Sequence, residues 1–286
     1  MKPPPFSYHD PETVPEVIDL LGRCENARVL AGGQSLMPML NMRFVLPDHV
    51  IDLNRVDALS YIRESPDALE IGAMTRQREI EFDATIRAAC PLLPEAILEV
   101  GHRQTRNRGT LGGSLCHLDP AAELVAAAAA LDAVVTVTGR AGVREIAFAQ
   151  FPAGYMTPAI EPDEILTSVR FPRWPKGHGY AFVEFARRHG DFALCSAAVL
   201  LEKTAGRITR ASVTVAGLGA APARVSNAEQ VLVGNAASGG LFREAAEHCR
   251  RLEAIDDVHA PASYRQQLGA VLTRRALEKA NARCAS

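Results

Sequence analysis

The chain has 286 residues, enough for one large domain or for two to three smaller ones with substantial cores. Hydrophobic residues make up 48% and charged residues 22%, which is typical of a globular protein rather than a disordered one. The 31 basic residues (Lys and Arg) nearly balance the 33 acidic ones, which excludes a basic field for nucleic acid or an anionic membrane. A polyanionic ligand would therefore be held by backbone N–H groups rather than by a cationic patch.

The six cysteines are scattered and predict neither a disulfide framework nor a metal site. No two of them form a C-x-x-C pair, and the eight histidines show no short ligand spacing, so we expect no zinc or iron–sulfur site on this chain. The N-terminal sequence MKPPPFSYHDPETV lacks the apolar region of a secretory signal, and no apolar run is long enough to span a bilayer. These features predict reduced thiols and a cytoplasmic protein without membrane insertion.

The N-terminal part of the chain has the pattern of a small βαβ unit. Apolar residues recur at helical spacing over 14–21, after a capping-box pattern formed by Thr13 and Glu16. Short apolar strands are predicted at 28–30 and 49–53. Between them lies AGGQSLMPML, whose adjacent glycines indicate that the backbone comes close to another group.

Short strands and helices alternate in the next part of the chain. A strand is predicted within 68–76, followed by a helix that Thr75 caps. The segment 84–100 is predicted to form two helical pieces with a break marked by Pro91 and Pro94.

A second glycine pair lies in TLGGSLCHLDPAAEL and follows three arginines that we expect on a solvated loop. Asp119 and Pro120 have the pattern of a helix start, which predicts an alanine-rich helix over 120–131. The sequences AVVTVTG and DEILTSVRFP then predict two further strands.

The character of the chain changes after the Pro- and Gly-rich segment RFPRWPKGHG. Three strand candidates follow one another, YAFVEFARR, ALCSAAVLLEK and RITRASVTVAGLG, and Ala205 with Gly206 provides a hairpin turn. Helices are predicted from Ser226, which Glu229 would help to cap, over 239–254, and over 262–281 behind a capping box of Ser263 and Gln266. Strands in a row followed by helices predict an antiparallel sheet with helices on one face.

The two glycine pairs are the strongest candidates for a ligand site. Each follows an apolar stretch and precedes a serine, Ser35 or Ser114. Glycine amides and serine hydroxyls together form neutral, donor-rich cradles for anions, although a tight turn explains either pair alone equally well. Because the chain lacks a P-loop lysine and a G-x-G-x-x-G motif, a pyrophosphate held between two loops is favoured over a P-loop or a Rossmann fold.

Three motifs resemble those of the FAD-binding medium subunit of the molybdenum hydroxylases, a group that includes xanthine, carbon monoxide and nicotine dehydrogenases. The sequences AGGQSL at 31–36 and TLGGS at 110–114 resemble the paired loop motifs of that family. FARRHGDFA at 185–193 resembles its third motif. The resemblance covers essentially the whole chain.

The resemblance implies an α+β fold that begins with a two-subdomain FAD-binding module of the vanillyl-alcohol-oxidase type. We expect the first subdomain at 1–57 and the second at 58–173. A C-terminal α+β domain with a three-stranded antiparallel sheet and helices is expected at 174–286.

The resemblance also implies one bound FAD, no catalytic residue and no metal ligand on this chain. The two loops would hold the pyrophosphate and ribityl chain, and an acidic and an apolar residue would lie near the flavin ring. The candidate cofactor-binding residues are Val29, Leu30, Ala31, Gly32, Gly33, Gln34, Ser35, Leu36, Thr110, Leu111, Gly112, Gly113, Ser114, Glu123 and Leu166. The side chain of Gln34 could face either the flavin or the next loop. A lysine that touches the flavin in xanthine-oxidising members has no counterpart near Glu184.

By resemblance, the chain is the electron-transfer subunit of a heteromeric molybdenum hydroxylase. It would carry electrons from [2Fe–2S] clusters on a small subunit through FAD to an external acceptor, while a large molybdopterin subunit oxidises the substrate. The expected assembly is a dimer of heterotrimers. Two alternatives stay open, namely a self-contained flavin oxidoreductase acting on NAD(P)H or a small substrate, and an assembly protein with weak or no FAD binding.

Overall fold

The structure is a computed structural model that describes residues 1–285. Helices and strands are mixed along the chain, and each of the three main sheets draws its strands from one continuous part of the sequence. Three hydrophobic clusters form the cores of these parts. The predicted α+β fold is confirmed by this arrangement. None of the helices in the described chain has both the length and the apolar composition that crossing a bilayer requires.

A three-stranded parallel sheet with one covering helix forms the N-terminal part. Its elements are β1 (Ser7–His9), α1 (Val14–Arg23), β2 (Ala27–Leu30), α2 (Leu36–Asn41) and β3 (His49–Asp52). The central strand β3 pairs in parallel with both β1 and β2, as the βαβ pattern predicts. The predicted capping box of Thr13 and Glu16 is present, and Val17 of α1 shares a buried cluster with Ile51 of β3.

The middle of the chain forms a five-stranded antiparallel sheet in the order β4-β5-β10-β6-β7, with β8 and β9 paired beside it. Its strands are β4 (Ile62–Glu64), β5 (Ala68–Gly72), β6 (Val134–Gly139), β7 (Gly142–Ala147), β8 (Pro152–Gly154), β9 (Thr157–Pro158) and β10 (Ile165–Pro172). The sequence predicts β5, β6 and β10. It misses β4 and β7 because most of their residues are exposed and show no apolar alternation.

Six helices connect β5 to β6. They are α3 (Gln77–Phe82), α4 (Ala84–Ala89), α5 (Leu92–Glu99), α6 (Arg103–Arg108), α7 (Leu111–His117) and α8 (Glu123–Ala130). The predicted break near Pro91 is confirmed, because α4 ends at Ala89 and α5 begins at Leu92. Pro94 lies inside α5, in its first turn, where a missing N–H costs nothing.

The arginine-rich segment that we expected on a solvated loop is instead helix α6. Arg106 forms an ion pair with Glu81 of α3, with 3.0 Å between its Nε and Oε2. The two side chains are only 11% and 8% exposed. Arg106 also donates from Nη1 to the Val100 carbonyl oxygen at 2.9 Å. Contacts with α3 and α5 therefore hold this helix, and its own sequence gives no sign of them.

The helix predicted from Asp119 begins later than expected. Asp119 accepts a hydrogen bond at Oδ1 from the N–H of Ala121 at 2.9 Å, which closes a turn before the helix. Helix α8 then begins at Glu123.

The C-terminal part forms a four-stranded antiparallel sheet and three helices. These are β11 (Gly179–Phe185), β12 (Cys195–Thr204), β13 (Arg207–Ala216), β14 (Ala223–Arg224), α9 (Ser226–Leu232), α10 (Gly239–Glu247) and α11 (Ala262–Arg283). The expected three strands are present and β14 adds a fourth, two residues long, beside β13. Ala205 and Gly206 both have positive φ, as the predicted hairpin turn requires.

Helix caps are the least accurate part of the sequence prediction. The predicted caps Thr75, Ser226 and Ser263 each lie one or two residues from the true helix boundary. Glu229, expected to complete a cap, instead accepts from the N–H of Val213 at 2.8 Å. The observed N-cap residues are Arg76, Val225 and Pro261.

Both faces of the C-terminal sheet are buried. Val199 and Leu201 of β12 pack in one cluster with residues of α9, α10 and α11. Their neighbours Ala198 and Leu200 belong to the cluster that contains α5 and α8. Because side chains alternate along a strand, one sheet serves two cores at once. The domain boundaries at 57 and 173 stay a prediction, since this packing joins the second and third parts closely.

Candidate cofactor-binding site

The first glycine pair lies in the loop between β2 and α2. Gly33 has φ +73°, a conformation that favours glycine, and it redirects the chain into the helix. The five backbone N–H groups from 32 to 36 donate to no protein group in residues 1–285, and Ser35 forms no side-chain cap. This row of free donors is suited to an anionic group. Gln34 donates from Nε2 to the Gly32 carbonyl at 3.1 Å, so its side chain folds onto its own loop.

The second glycine pair has different surroundings, because it lies within helix α7 rather than in a loop. The Leu111 N–H donates to the Thr75 carbonyl at 3.1 Å, and the Gly112 N–H to the Ala73 carbonyl at 2.8 Å. The Gly113 N–H donates to Thr110 Oγ1 at 3.1 Å. These amides are already satisfied. Of the two glycine motifs, the first loop therefore has the backbone N–H groups that lack a partner within residues 1–285.

The two glycine motifs contact each other directly. A Cβ on Gly32 would overlap the carbonyl oxygen of Arg108, and a Cβ on Gly113 would lie 3.3 Å from the Cβ of Ala31. A Cβ on Gly112 would lie 2.7 Å from the Cβ of Ala73. Three of the four glycines are thus required by close packing within the protein. Of these contacts, only that of Gly113 with Ala31 joins the two motifs, while Gly32 packs on Arg108 and Gly112 on Ala73. Approach of a ligand to these loops stays a prediction.

Three polar residues outside the predicted set join these motifs. Asn54 donates from Nδ2 to the Ala31 carbonyl at 3.0 Å, and Arg76 donates from Nη1 to the Arg108 carbonyl at 2.7 Å. Arg76 Nη2 also donates to Asn54 Oδ1, which Arg108 Nη2 approaches to 3.5 Å. Burial, followed by the charge of Arg108, lowers the pKa of Arg76 from its ordinary value. Two guanidinium groups therefore lie beside the first loop, and the carboxylates of Asp52 and Glu79 also act on Arg76.

The predicted acidic residue Glu123 lies in a buried carboxyl cluster at the junction with the C-terminal sheet. It begins α8 and is 9% exposed. Burial raises its pKa to about 7, and the charges of Asp119 and Glu99 add to this effect. Burial likewise raises the pKa of Glu184 on β11 to about 9, reinforced by Glu123 and Glu99. Carboxyl groups this close and this buried favour the protonated form.

Two polar atoms in this cluster lack a partner within residues 1–285. Oε2 of Glu184 is buried without a hydrogen bond, and so is the hydroxyl of Ser196, which is opposite Glu184 in the strand register. Buried polar groups usually find a partner. The free amides of the first loop and the two arginines beside it fit a cofactor that carries a pyrophosphate.

The remaining predicted residues are divided between the core and half-buried positions. Leu166 on β10 is 3% exposed and belongs to the same cluster as the fully buried Leu111. Val29 and Leu30 are half-buried on β2, and Ser114 is half-buried on α7. Direct contact of these side chains with a flavin stays a prediction.

Comparison with known proteins places the whole chain in one family. The family model described as the FAD binding domain in molybdopterin dehydrogenase matches residues 4–174. The model described as the CO dehydrogenase flavoprotein C-terminal domain matches residues 180–280.

Relatives of known name match over nearly their full length. Subunit alpha of the 6-hydroxypseudooxynicotine dehydrogenase complex of Paenarthrobacter nicotinovorans is 40% identical, over 98% of this chain and 96% of the relative. The carbon monoxide dehydrogenase medium chain of Afipia carboxidovorans is 36% identical, over 99% of each chain. A chain of carbon monoxide dehydrogenase from Hydrogenophaga pseudoflava superimposes with a TM-score of 0.97, at 34% identity over 100% of both chains. The chain thus belongs to the family of FAD-binding medium subunits of the molybdenum hydroxylases.

Proposed function

We propose that this chain, an FAD-binding oxidoreductase subunit by its family, is the electron-transfer subunit of a heteromeric molybdenum hydroxylase. The observation that carries this proposal is the row of free amides at 32–36, placed beside the guanidinium groups of Arg76 and Arg108. Amide donors and cations that converge on a half-buried loop are the groups that bind a pyrophosphate.

Each part of the site has a separate task. The first loop and Arg108 would bind the pyrophosphate, while Asn54 and Arg76 hold the two glycine motifs in register. Bound FAD supplies a carrier that can receive electrons from one redox partner and deliver them to another. The protein residues position that carrier and exclude water from it.

The partners follow from what this chain does not carry. Its six free cysteines are dispersed over the described residues, and none is close enough in sequence to another for an iron–sulfur motif. We therefore place the [2Fe–2S] clusters on a small subunit and the molybdopterin on a large subunit, in a dimer of heterotrimers with an external electron acceptor. The matched relatives, named medium chain or subunit alpha, support partner subunits. Reduced thiols favour the cytoplasm.

An exposed apolar group close to the first loop supports a protein partner on this side. Met42, Phe44 and Leu46 follow α2 and are 63%, 81% and 59% exposed. Large apolar side chains exposed together commonly mark a binding surface.

The FAD assignment is tested by the flavin content of two valine variants. In Gly33→Val the side chain meets Leu30 and Met37 and disfavours φ +73°, so the free amides should turn away and bound FAD should be lost. Gly239→Val is the matched control, because no atom lies within 4 Å of the position that its Cβ would take. Flavin absorbance per chain is the readout. Equal, stoichiometric FAD in both variants would contradict the first-loop assignment.

Measurements on the same purified chain distinguish the proposal from its two alternatives, the assembly protein and the self-contained oxidoreductase. A chain that holds no FAD while its partner subunits assemble normally would favour the assembly protein. Steady turnover of NADH or another small substrate by the chain alone would favour the self-contained oxidoreductase. We expect stoichiometric FAD, no such turnover by the isolated chain, and activity that requires the partner subunits.

A further inference from the structure

We infer that His9, Cys24 and His49 form a binding site for a zinc-like divalent cation in the N-terminal part of the chain. One ligand atom from each of these residues lies within 4.8 Å of the other two. The site is separate from the glycine motifs and does not depend on the proposed redox function. All three residues are half-buried.

The interatomic distances are close to those of a tetrahedral centre. His9 Nε2 lies 3.1 Å from His49 Nδ1, and Cys24 Sγ lies 3.9 Å from His9 Nε2. With zinc–nitrogen bonds of about 2.0–2.1 Å and zinc–sulfur bonds of about 2.3 Å, tetrahedral ligands lie about 3.3–3.6 Å apart. Because all three atoms already lie within 4.8 Å of one another, small movements of the side chains would bring them around one ion.

The fold brings these ligands together from three separate elements. Ser7 of β1 is opposite His49 of β3, so His9, two residues further along, lies diagonally across on the same face of the sheet. Cys24 caps the C-terminus of α1, and its N–H donates to the Leu20 carbonyl at 2.8 Å, which fixes its position. The ligands are 15 and 25 residues apart in sequence, so no short spacing reveals them.

The chemistry of the donors favours a borderline transition-metal ion such as zinc. Two imidazole nitrogens and one thiol are the ligands that zinc prefers, whereas calcium and magnesium prefer oxygen. Three protein ligands leave a fourth position for water. His9 lines an open cavity of about 340 Å³ whose wall also includes Glu16, Asp19 and Arg23, so solvent reaches one edge of the site.

An ion at this position would connect β1, the end of α1 and β3. Ligands must lose their protons and converge, so binding energy becomes stability of the fold around them. Zinc should therefore raise the melting temperature of the chain when FAD is kept saturating.

The test uses the full-length, FAD-loaded chain after treatment with a chelator. We expect one equivalent of Zn²⁺ to bind in competition with a chromophoric chelator. Co²⁺ should give the visible bands of a tetrahedral centre and a thiolate-to-cobalt band in the difference spectrum. In Cys24→Ser the thiolate band should disappear, and in Cys24→Ser, His9→Gln and His49→Gln zinc affinity should fall at least about tenfold.

A control variant and a measurement of folding complete the test. His259→Gln, an exposed histidine elsewhere in the chain, should bind zinc like the unmodified protein. Circular dichroism reports whether each variant is folded, and flavin content reports separately whether the FAD site is intact, so failure of the FAD proposal is distinguishable from failure of this one. Absence of stoichiometric zinc binding by the unmodified chain, or equal zinc affinity in all four folded variants, would overturn the site.

Discussion

At the scale of single residues, the adjacent glycines Gly32 and Gly33 are needed for different reasons. Gly32 has no room for a Cβ because the carbonyl oxygen of Arg108 occupies that position. Gly33 has side-chain neighbours only at 3.2 and 3.3 Å, but its φ of +73° is costly for other residues. One glycine is therefore needed for packing against Arg108 and the other for the direction of the free amides.

This division predicts that two alanine variants differ in their main effect, on stability for one and on FAD binding for the other. Gly32→Ala should lower the free energy of unfolding of the FAD-free chain by about 1–3 kcal/mol, because a backbone contact must open. Gly33→Ala should lower the free energy of unfolding by at most about 1–2 kcal/mol, and its main effect should be weaker FAD binding. Urea unfolding and FAD titration measure the two effects. Equal losses of stability and equal losses of FAD affinity in both variants would refute the division.

At the scale of elements, the sequence predicts those whose own pattern is strong. The amphipathic helix α1 with its capping box and the apolar strand β10 need no information beyond their own residues. Helices α6 and α7 could not be predicted from their own residues. α6 has no apolar face and depends on the bond from Arg106 to Glu81, while α7 contains two glycines because Gly112 packs against Ala73. Long-range contacts of this kind override local propensity.

Helix α6 should therefore depend strongly on its buried ion pair. Replacing Arg106 by alanine leaves Glu81 buried with only the half-exposed Arg78 as a partner, which should lower the free energy of unfolding by about 3–5 kcal/mol. Arg274→Ala is the matched control, since its pair with Glu278 is exposed and should contribute less than about 1 kcal/mol. Chemical denaturation distinguishes them. A loss below about 1 kcal/mol in Arg106→Ala would show that α6 is held in another way.

At the scale of the whole molecule, the sites are built from distant segments. Asn54, Arg76 and Arg108 meet between two motifs, and Glu123 meets Glu184 where the C-terminal sheet packs on α8. Composition and spacing cannot predict such long-range contacts, because none of these residues belongs to a recognisable motif in its own segment. The resemblance in the motifs predicts the family and the paired loops, and the packed structure adds the charges around them.

The carboxyl cluster at this junction should make the stability of the chain depend on pH. Since burial raises the pKa of Glu184 to about 9, the folded state binds a proton that the unfolded state loses above about pH 4.3. Stability contributed by this group is therefore fully present below that pH and is lost as the pH rises through about 9. Glu123, with a pKa of about 7, acts in the same direction.

The substitution Glu184→Gln should remove the loss of stability that accompanies ionisation of Glu184. Relative to the unmodified chain, the variant should be similar in stability near about pH 4 and more stable above about pH 8. Thermal unfolding across the pH range measures this, with Glu244→Gln as a control at an exposed position. A difference between Glu184→Gln and the unmodified chain that is the same at every pH would contradict the raised pKa.

The unequal distribution of free donors has a consequence for how the cofactor is acquired. The amides of α7 are satisfied by the protein itself, whereas those of the first loop lie on half-buried backbone that water can reach. A pyrophosphate would therefore replace water at the first loop, whereas the hydrogen bonds of α7 would stay as they are.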